Sequence, residues 1–482
     1  MKQPNILLLM CDQFRGDCLS YAGHPDVKTP YLDTLASEGA FFDHAYSSCP
    51  SCIPARVALF TGKSQKHHGR VGYEDGIDWN YDHMLAEEMS ANGYQTQCIG
   101  KMHVHPVRKH CGFQGLRLHD GYLGYYRNNS IPHYEHQEVT DDYLRDLKNV
   151  LGTKADFNAS GPECNSWVTH PWIYEERFHP TNWVTEESIR FLETRDRTRP
   201  FFLMSSYVRP HQPFDAPASY FDLYKDKDLR KPAYSDWDDI EKTEQFGYRK
   251  DSVFGCNDEE QIHNAMAGYY ACITHVDHQI GRLISALMES GEYDNTVILF
   301  LADHGELLFD HHLYRKVFAY EGSSHIPLLI HVGKNVCHTI PFRSDTLVEL
   351  RDIMPTILDF TNVPIPEGVD GFSLAPEIKG ENKNDREYLH GEHSFHSGLS
   401  SHFIVTKTDK FIWYSEKNTE QYFDLKNDPR EEHNLIDDKQ YQERISYLRN
   451  LLIQELKDRE EGYSDGVSLQ EGCTPVNSLS FL

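Results

Sequence analysis

Cys52 and Arg56 lie one helical turn apart in the stretch Cys49-Pro50-Ser51-Cys52-Ile53-Pro54-Ala55-Arg56-Val57-Ala58-Leu59-Phe60-Thr61-Gly62-Lys63. Small residues and prolines lead into an apolar run that stops at Gly62. The pattern predicts a loop and then a short helix, with Pro54 in its first turn and Gly62 near its C-cap. Cys52 then sits at or just before a helix N-terminus. Free backbone N–H groups and the positive end of the helix dipole stabilise an anion there. Arg56 can reach the same spot, and a nucleophile beside a guanidinium suits attack on a tetrahedral oxyanion ester. Plainer readings stand beside this one. A lone Cys before a helix is often a small buried residue. Cys49-x-x-Cys52 also fits a redox pair or half of a zinc site, but zinc needs two more nearby ligands in a suitable pattern, and the sequence offers none.

The elements that must position this chemistry are apolar runs that end in polar groups. Residues 5–10 form a continuous apolar run that delivers Cys11-Asp12-Gln13. Residues 94–99 lead into Gly100-Lys101-Met102-His103, residues 200–205 into Arg209-Pro210-His211-Gln212, and residues 296–301 into Ala302-Asp303-His304-Gly305-Glu306. Continuous apolar runs predict parallel strands covered on both faces. Each polar end alone could be an ordinary loop. Together they point to one site, because ligands of open α/β sheets bind at the carboxyl ends of the strands. Helical patterns at 29–39, with Thr29 as the capping residue, Pro30 in the first turn and Gly39 at the end, and at 83–92, 182–194 and 262–290 alternate with the strands. The expected class is α/β, a mostly parallel central sheet flanked by helices. Residues 112–180 and 216–256 lack clear periodicity and read as insertions that shape substrate choice.

A Pro/Gly/charged stretch at 362–384 marks a boundary. The expectation is a catalytic domain over residues 1–375 and a smaller α+β subdomain over 376–482. The latter would hold short antiparallel strands near 386–390, 402–406, 410–415 and 422–425, and an amphipathic helix over 438–459.

Of the 482 residues, 39% are hydrophobic and 12% aromatic, enough for a large core and against disorder. A formal net charge of −27 argues against nucleic acid or an anionic membrane as partner. An anionic substrate must therefore be drawn by a local basic cluster. The 11 Cys are scattered and odd in number, which suits a reducing compartment better than a disulfide framework. The apolar run near the start is too short for a signal-peptide core or a membrane span. A soluble, cytoplasmic protein is expected.

Cys52-x-Pro54-x-Arg56 followed by Leu59-Phe60-Thr61-Gly62 resembles the signature of the formylglycine-dependent sulfatases of the alkaline phosphatase-like superfamily. The resemblance runs from Asn5 to about Leu435, where Tyr422-x-Asp424-Leu425-x-x-Asp428-Pro429-x-Glu431-x-x-Asn434-Leu435 matches a C-terminal pattern of that family. Ala55 stands where the family usually has Ser. Asp12-Gln13 and Asp303-His304 stand where many members have Asp-Asp and Asp-Asn, and this variant looks more like the choline sulfatase and phosphonate monoester hydrolase branch.

The resemblance implies an alkaline phosphatase-like fold and oxidation of Cys52 to formylglycine by a formylglycine-generating maturation enzyme that acts before folding. It implies a divalent metal on Asp12, Gln13, the Cys52-derived group, Asp303 and His304. Ca2+ is the first expectation, with Mn2+ or Mg2+ as alternatives, since a His ligand lets manganese compete. By the same resemblance the aldehyde is hydrated and one hydroxyl attacks sulfur, while Arg56, Lys101 and Lys316 hold the sulfate oxygens and the diol. His211 is the candidate acid for the leaving oxygen, with Lys316 as its rival. His103 is the candidate base that deprotonates the second hydroxyl, expelling sulfate and restoring the aldehyde. The expected activity is hydrolysis of a small or saccharide sulfate ester. The alternatives are phosphonate monoester or phosphodiester hydrolysis at the same site, and a catalytically silent binder of sulfated ligands in which Cys52 stays a thiol.

Overall fold

The computed structural model describes residues 2–120, 137, 139–395 and 398–482. Its central strand is β1 (Asn5–Asp12), buried at every position, as its unbroken apolar run requires. Parallel neighbours flank it in register, with Leu8 opposite Met204 of β5 (Phe201–Pro210) and opposite Leu299 of β6 (Thr296–Ala302). The other strands are β2 (Ala40–Tyr46), β3 (Gln95–Gly100), β4 (Gly115–Leu118), β7 (Leu328–Val332) and β8 (Phe342–Glu349). The sheet order is β4-β3-β5-β1-β6-β7-β2-β8. Only β7 runs antiparallel to its neighbours. The four strands with polar carboxyl ends, β3, β5, β1 and β6, are therefore consecutive and parallel, and their ends converge.

Helices cover the sheet. One group comprises α1 (Pro30–Ser37), α4 (Pro180–Thr194) and α5 (Glu259–Glu289), which pack together. A second comprises α2 (Cys52–Thr61), α3 (Leu85–Ala91) and α6 (Ile353–Thr361). The start of α1 departs from the sequence pattern. Thr29 makes no side-chain cap; its hydroxyl goes to Asp33, and Asp277 of α5 accepts from the Tyr31 and Leu32 N–H groups at 3.2 and 2.7 Å. A carboxylate from a packed neighbour satisfies the orphan donors that the local Thr leaves open.

The C-terminal part is a four-stranded antiparallel sheet, β9 (Leu389–His393), β10 (Ser401–Val405), β11 (Lys410–Tyr414) and β12 (Thr419–Phe423), with helix α7 (Gln442–Glu455). Alternation splits its side chains. Leu389, Phe403, Val405, Ile412 and Phe423 pack on Tyr46, Leu307 and Phe318, while Ile404, Phe411, Trp413 and Tyr422 pack on Ile445, Leu448 and Leu452 of α7. The first strand begins three residues later than the sequence pattern suggests, because Arg386 is drawn out to Asp352 and Glu349. Glu431, from the Tyr422–Leu435 pattern, is buried and pairs with Lys410 at 2.9 Å, and Lys410 also reaches Glu321 at 2.7 Å. That pattern thus ties the C-terminal sheet to the main one.

The stretches without periodicity contain β4, a helix over Asp142–Leu151 and short helices at Ala218–Phe221 and Ile240–Phe246. All eleven cysteines are free thiols. No helix among the described residues is long and apolar enough to cross a membrane.

Candidate active site

Cys52 is the first residue of α2, Ser51 is its N-cap residue, and Gly62 closes the helix in the left-handed conformation at φ 65°. This is the arrangement the prolines, apolar run and glycine predict. The Cys52 sulfur, 2% exposed, lies 3.3 Å from His304 Nε2, 3.3 Å from Lys316 Nζ and 3.7 Å from Asp12 Oδ1. Strands β1 and β6 deliver Asp12 and Asp303-His304, and the segment after β3 delivers Lys101, whose ammonium pairs with Asp12.

Lys316 is 6% exposed and far from any strand end in sequence. Two bonds bring it back: Val317 N–H donates to the Pro50 carbonyl at 3.2 Å, and Leu307 N–H to the Arg315 carbonyl at 2.7 Å. Arg315 and Val317 both have positive φ, 73° and 82°, a strained conformation for a β-branched residue. Strain on either side of Lys316 marks a segment held in place by its surroundings.

Donor atoms of Asp12, Cys52, Asp303 and His304 all lie within 4.8 Å of one another. His304 Nδ1 donates to the Gly305 carbonyl at 3.0 Å, which turns the Nε2 lone pair toward Asp12 and Asp303, 3.4 and 3.6 Å away. Two carboxylates and a pre-oriented imidazole fit a divalent cation. Gln13, in the left-handed conformation at φ 65°, is engaged otherwise: its Oε1 accepts from Lys316 at 2.8 Å, and its Nε2 donates to Gln212 at 3.0 Å and to Glu306.

Arg56 is fully buried. Its Nε and Nη2 each lie 3.0 Å from Asp303 Oδ2, and its Nη1 donates to the Lys101 carbonyl at 2.9 Å and to Ser206 Oγ at 3.2 Å. It fixes Asp303 and the Lys101 backbone together. His211 donates from its backbone to the Asp12 carbonyl at 3.1 Å and from Nδ1 to the Gln212 carbonyl at 2.9 Å. His103 is placed by Asp120, which accepts from the Met102 and His103 N–H groups at 3.0 Å each, and its ring meets Tyr73 edge-on at 6.0 Å.

The electrostatics follow from burial among cations. Burial pushes the Cys52 thiol up and Asp12 adds to this, but Lys101, Lys316 and His304 outweigh both and bring it down to about 7. Burial also works against the Asp12 carboxylate, yet Lys101, His211, Lys316 and His304 hold it well below the usual range. Burial, with Lys316, pushes His211 far down.

Several residues escape the sequence reading. Glu306 follows the Asp303-His304 pair and is fully buried; it accepts from Gln13, from Gln212 at 2.8 Å and from the Leu308 N–H at 2.8 Å. An acid directly after Asp-His-Gly was the available signal. Ser206 and Asp120 had none, since each acts by position in the fold. His393 reaches the cluster from β9; burial and nearby His304 push it down to about 3.

An eight-stranded, mostly parallel sheet that gathers a helix-start cysteine, cation donors and two lysines at one edge defines an oxyanion-ester hydrolase of alkaline phosphatase-like architecture. Residues 4–363 match the sulfatase family, and residues 309–458 match the C-terminal region of N-sulphoglucosamine sulphohydrolase. The chain belongs to the sulfatase family and is a hydrolase acting on sulfuric ester bonds. It is 50% identical over 481 residues to an arylsulfatase of Clostridium perfringens, with 100% of both chains covered. The phosphonate monoester hydrolase of Agrobacterium radiobacter is similar in structure, with a TM-score of 0.76 and 25% identity over 94% of this chain and 96% of that one. BT4656, solved with its substrate D-glucosamine-2-N,6-O-disulfate, shares the fold with a TM-score of 0.74 and 22% identity, covering 95% of this chain and 99% of that one.

Proposed function

We propose that this sulfatase hydrolyses a small or saccharide sulfate ester after a formylglycine-generating enzyme has converted Cys52 to the aldehyde, and that it works in the cytoplasm. The observation that carries the reading is the Cys52 sulfur at the N-terminus of α2, 3.3 Å from both Lys316 Nζ and His304 Nε2. The hydrated aldehyde would supply one hydroxyl as nucleophile and a second whose deprotonation releases sulfate. A divalent cation on Asp12, Asp303, His304 and the converted side chain, with Gln13 as a further candidate ligand, would supply charge neutralisation and Lewis-acid polarisation. Ca2+ heads the candidates; the imidazole leaves room for Mn2+.

The chain's own groups do the rest. Lys316 and Lys101 place two ammonium groups beside position 52, where negative charge develops. Arg56 keeps Asp303 oriented. His211 carries a proton at Nε2 to the leaving oxygen once the substrate's charge raises its basicity. His103 removes the proton from the second hydroxyl. Gln13 and His304 also suit a phosphonate monoester, and the resemblance to the Agrobacterium enzyme favours keeping that reading as the alternative.

The test is turnover of a matched aryl sulfate and aryl phosphonate monoester by protein co-expressed with a formylglycine-generating enzyme. Peptide mass reports conversion at position 52. A strong preference for the sulfate is expected. Preference for the phosphonate would overturn the assignment, and turnover of the sulfate by fully unconverted protein would overturn the formylglycine step.

A further inference from the structure

Alternation along β9 and β10 puts His390 and Glu392 on one face of the C-terminal sheet. His402 stands directly opposite Glu392, and Ile404 opposite His390. This is the face toward α7, where Ile404, Trp413 and Tyr463 are buried. Two imidazoles and a carboxylate thus meet in a layer that is otherwise apolar and aromatic. Glu392 is 1% exposed and His402 3%. One ligand atom from each of His390, Glu392 and His402 lies within 4.8 Å of the other two. The His390 and His402 rings lie nearly parallel, with centroids 5.7 Å apart.

Hydrogen bonds do not account for the cluster. His390 Nε2 and His402 Nδ1 have no hydrogen-bond partner among the described residues. His402 Nδ1 lies 3.7 Å from Glu392 Oε2, beyond hydrogen-bond reach. Buried polar nitrogens are normally satisfied, and an exception calls for a ligand or a role. Glu392 itself is oriented from behind: both of its oxygens accept from Arg459 Nη1, at 2.7 and 2.8 Å, and Arg459 is paired in turn with Glu461 at 2.7 Å. Each carboxylate oxygen keeps a second lone pair, so a cation and Arg459 can share Glu392. His390 also lines a cavity of about 530 Å³, beside Arg351, Arg386 and Glu455.

We propose that His390, Glu392 and His402 form a second divalent-metal site of the zinc class, with water in the fourth position, distinct from the site beside Cys52. Two nitrogens and one carboxylate oxygen suit Zn2+ or Co2+ and not the hard, oxygen-seeking Ca2+. The ion would clip β9 to β10. Because β9 continues from Glu392 into His393, the clip would also hold the strand that reaches the catalytic cluster.

The test is metal stoichiometry in the full chain. Chelator-stripped enzyme is titrated with Co2+, read by visible absorption and by metal analysis after dialysis. Wild type should bind one more equivalent than either H390N or H402Q. Zn2+ should raise the thermal midpoint of wild type more than that of the two variants, which keep only the site beside Cys52. If H402Q fails to fold, H390N, whose side chain borders the cavity, still decides. Equal stoichiometry in wild type and the His variants would overturn the proposal. So would loss of the extra equivalent in H67N, since His67 lines the same cavity and would then be the true ligand.

Discussion

Replacing Lys316 with Met removes one cation beside the nucleophile position while keeping the volume of the side chain. Lys316 Nζ is 3.3 Å from the Cys52 sulfur. Two unit charges at that distance interact by about 5 kcal/mol at an effective dielectric of about 20. That equals roughly 3.7 pKa units at about 1.36 kcal/mol per unit. Water entry and reorientation of Lys101 recover part of the loss, so a rise of roughly 2 units is the working value. The Cys52 thiol, brought to about 7 in the intact protein, should then titrate near 9. The assay uses unconverted, chelator-treated protein and follows thiolate absorbance with pH. Ten other free thiols contribute, so the matching C52S proteins supply the baseline. In the converted enzyme the same substitution should lower kcat/KM by about 10²–10³, the usual loss for one preorganised donor at a developing charge. An unchanged thiol pKa with unchanged turnover would refute the electrostatic role assigned to Lys316.

Two further outcomes follow from the geometry. His211→Ala should cost about 10²–10⁴-fold in kcat for sulfates of poorly leaving alcohols and little for good phenolate leaving groups; a steeper dependence of rate on leaving-group pKa checks this, and equal losses across the series would remove the acid role. Acid should destabilise the fold through buried neutral histidines: burial pushes His24 down to about 4 and His68, with help from Arg70, down to about 3. Both use Nδ1 to accept backbone N–H groups, from Asp26 and Val27 and from Arg70, which protonation would break. Their folded pKa lies below the unfolded 6.5, so their contribution is present above pH 6.5 and is lost as pH falls; each gives up about 2 kcal/mol between pH 7 and 5. Urea unfolding at pH 7, 6 and 5 measures it, and midpoints that do not fall would contradict the sign.

Much of the fold was legible because its signals are local. The unbroken apolar runs that became β1, β5 and β6 could only be covered strands, and their order in a parallel sheet puts Asp12, His211, Asp303 and His304 at one edge without further information. The Cys52 helix was legible for the same reason, its prolines and Gly62 marking both ends. What failed was local signal overridden by a neighbour. Thr29 has the type and position of a cap, but Asp277 from a distant helix takes the job. Arg386 has a strand's surroundings, but Asp352 and Glu349 pull it out.

Lys101 and Lys316 show where sequence reading stops and why. Lys101 follows a strand end, so its place is fixed by β3. Lys316 lies in a segment with no periodicity, and its approach to Cys52 depends on contacts that leave no pattern: Val317 on the Pro50 carbonyl, Leu307 on the Arg315 carbonyl, and Glu306 gathering Gln13, Gln212 and Leu308. The result explains how a protein of net charge −27 can receive an anionic ester. Lys101, Lys316 and Arg56 set three cations against Asp12, Asp303 and the buried Glu306, so the site offsets its own carboxylates where the chain as a whole carries excess acid. Screening confines distant charges to about 8–10 Å at ordinary salt, and the pocket's own cations therefore decide what enters.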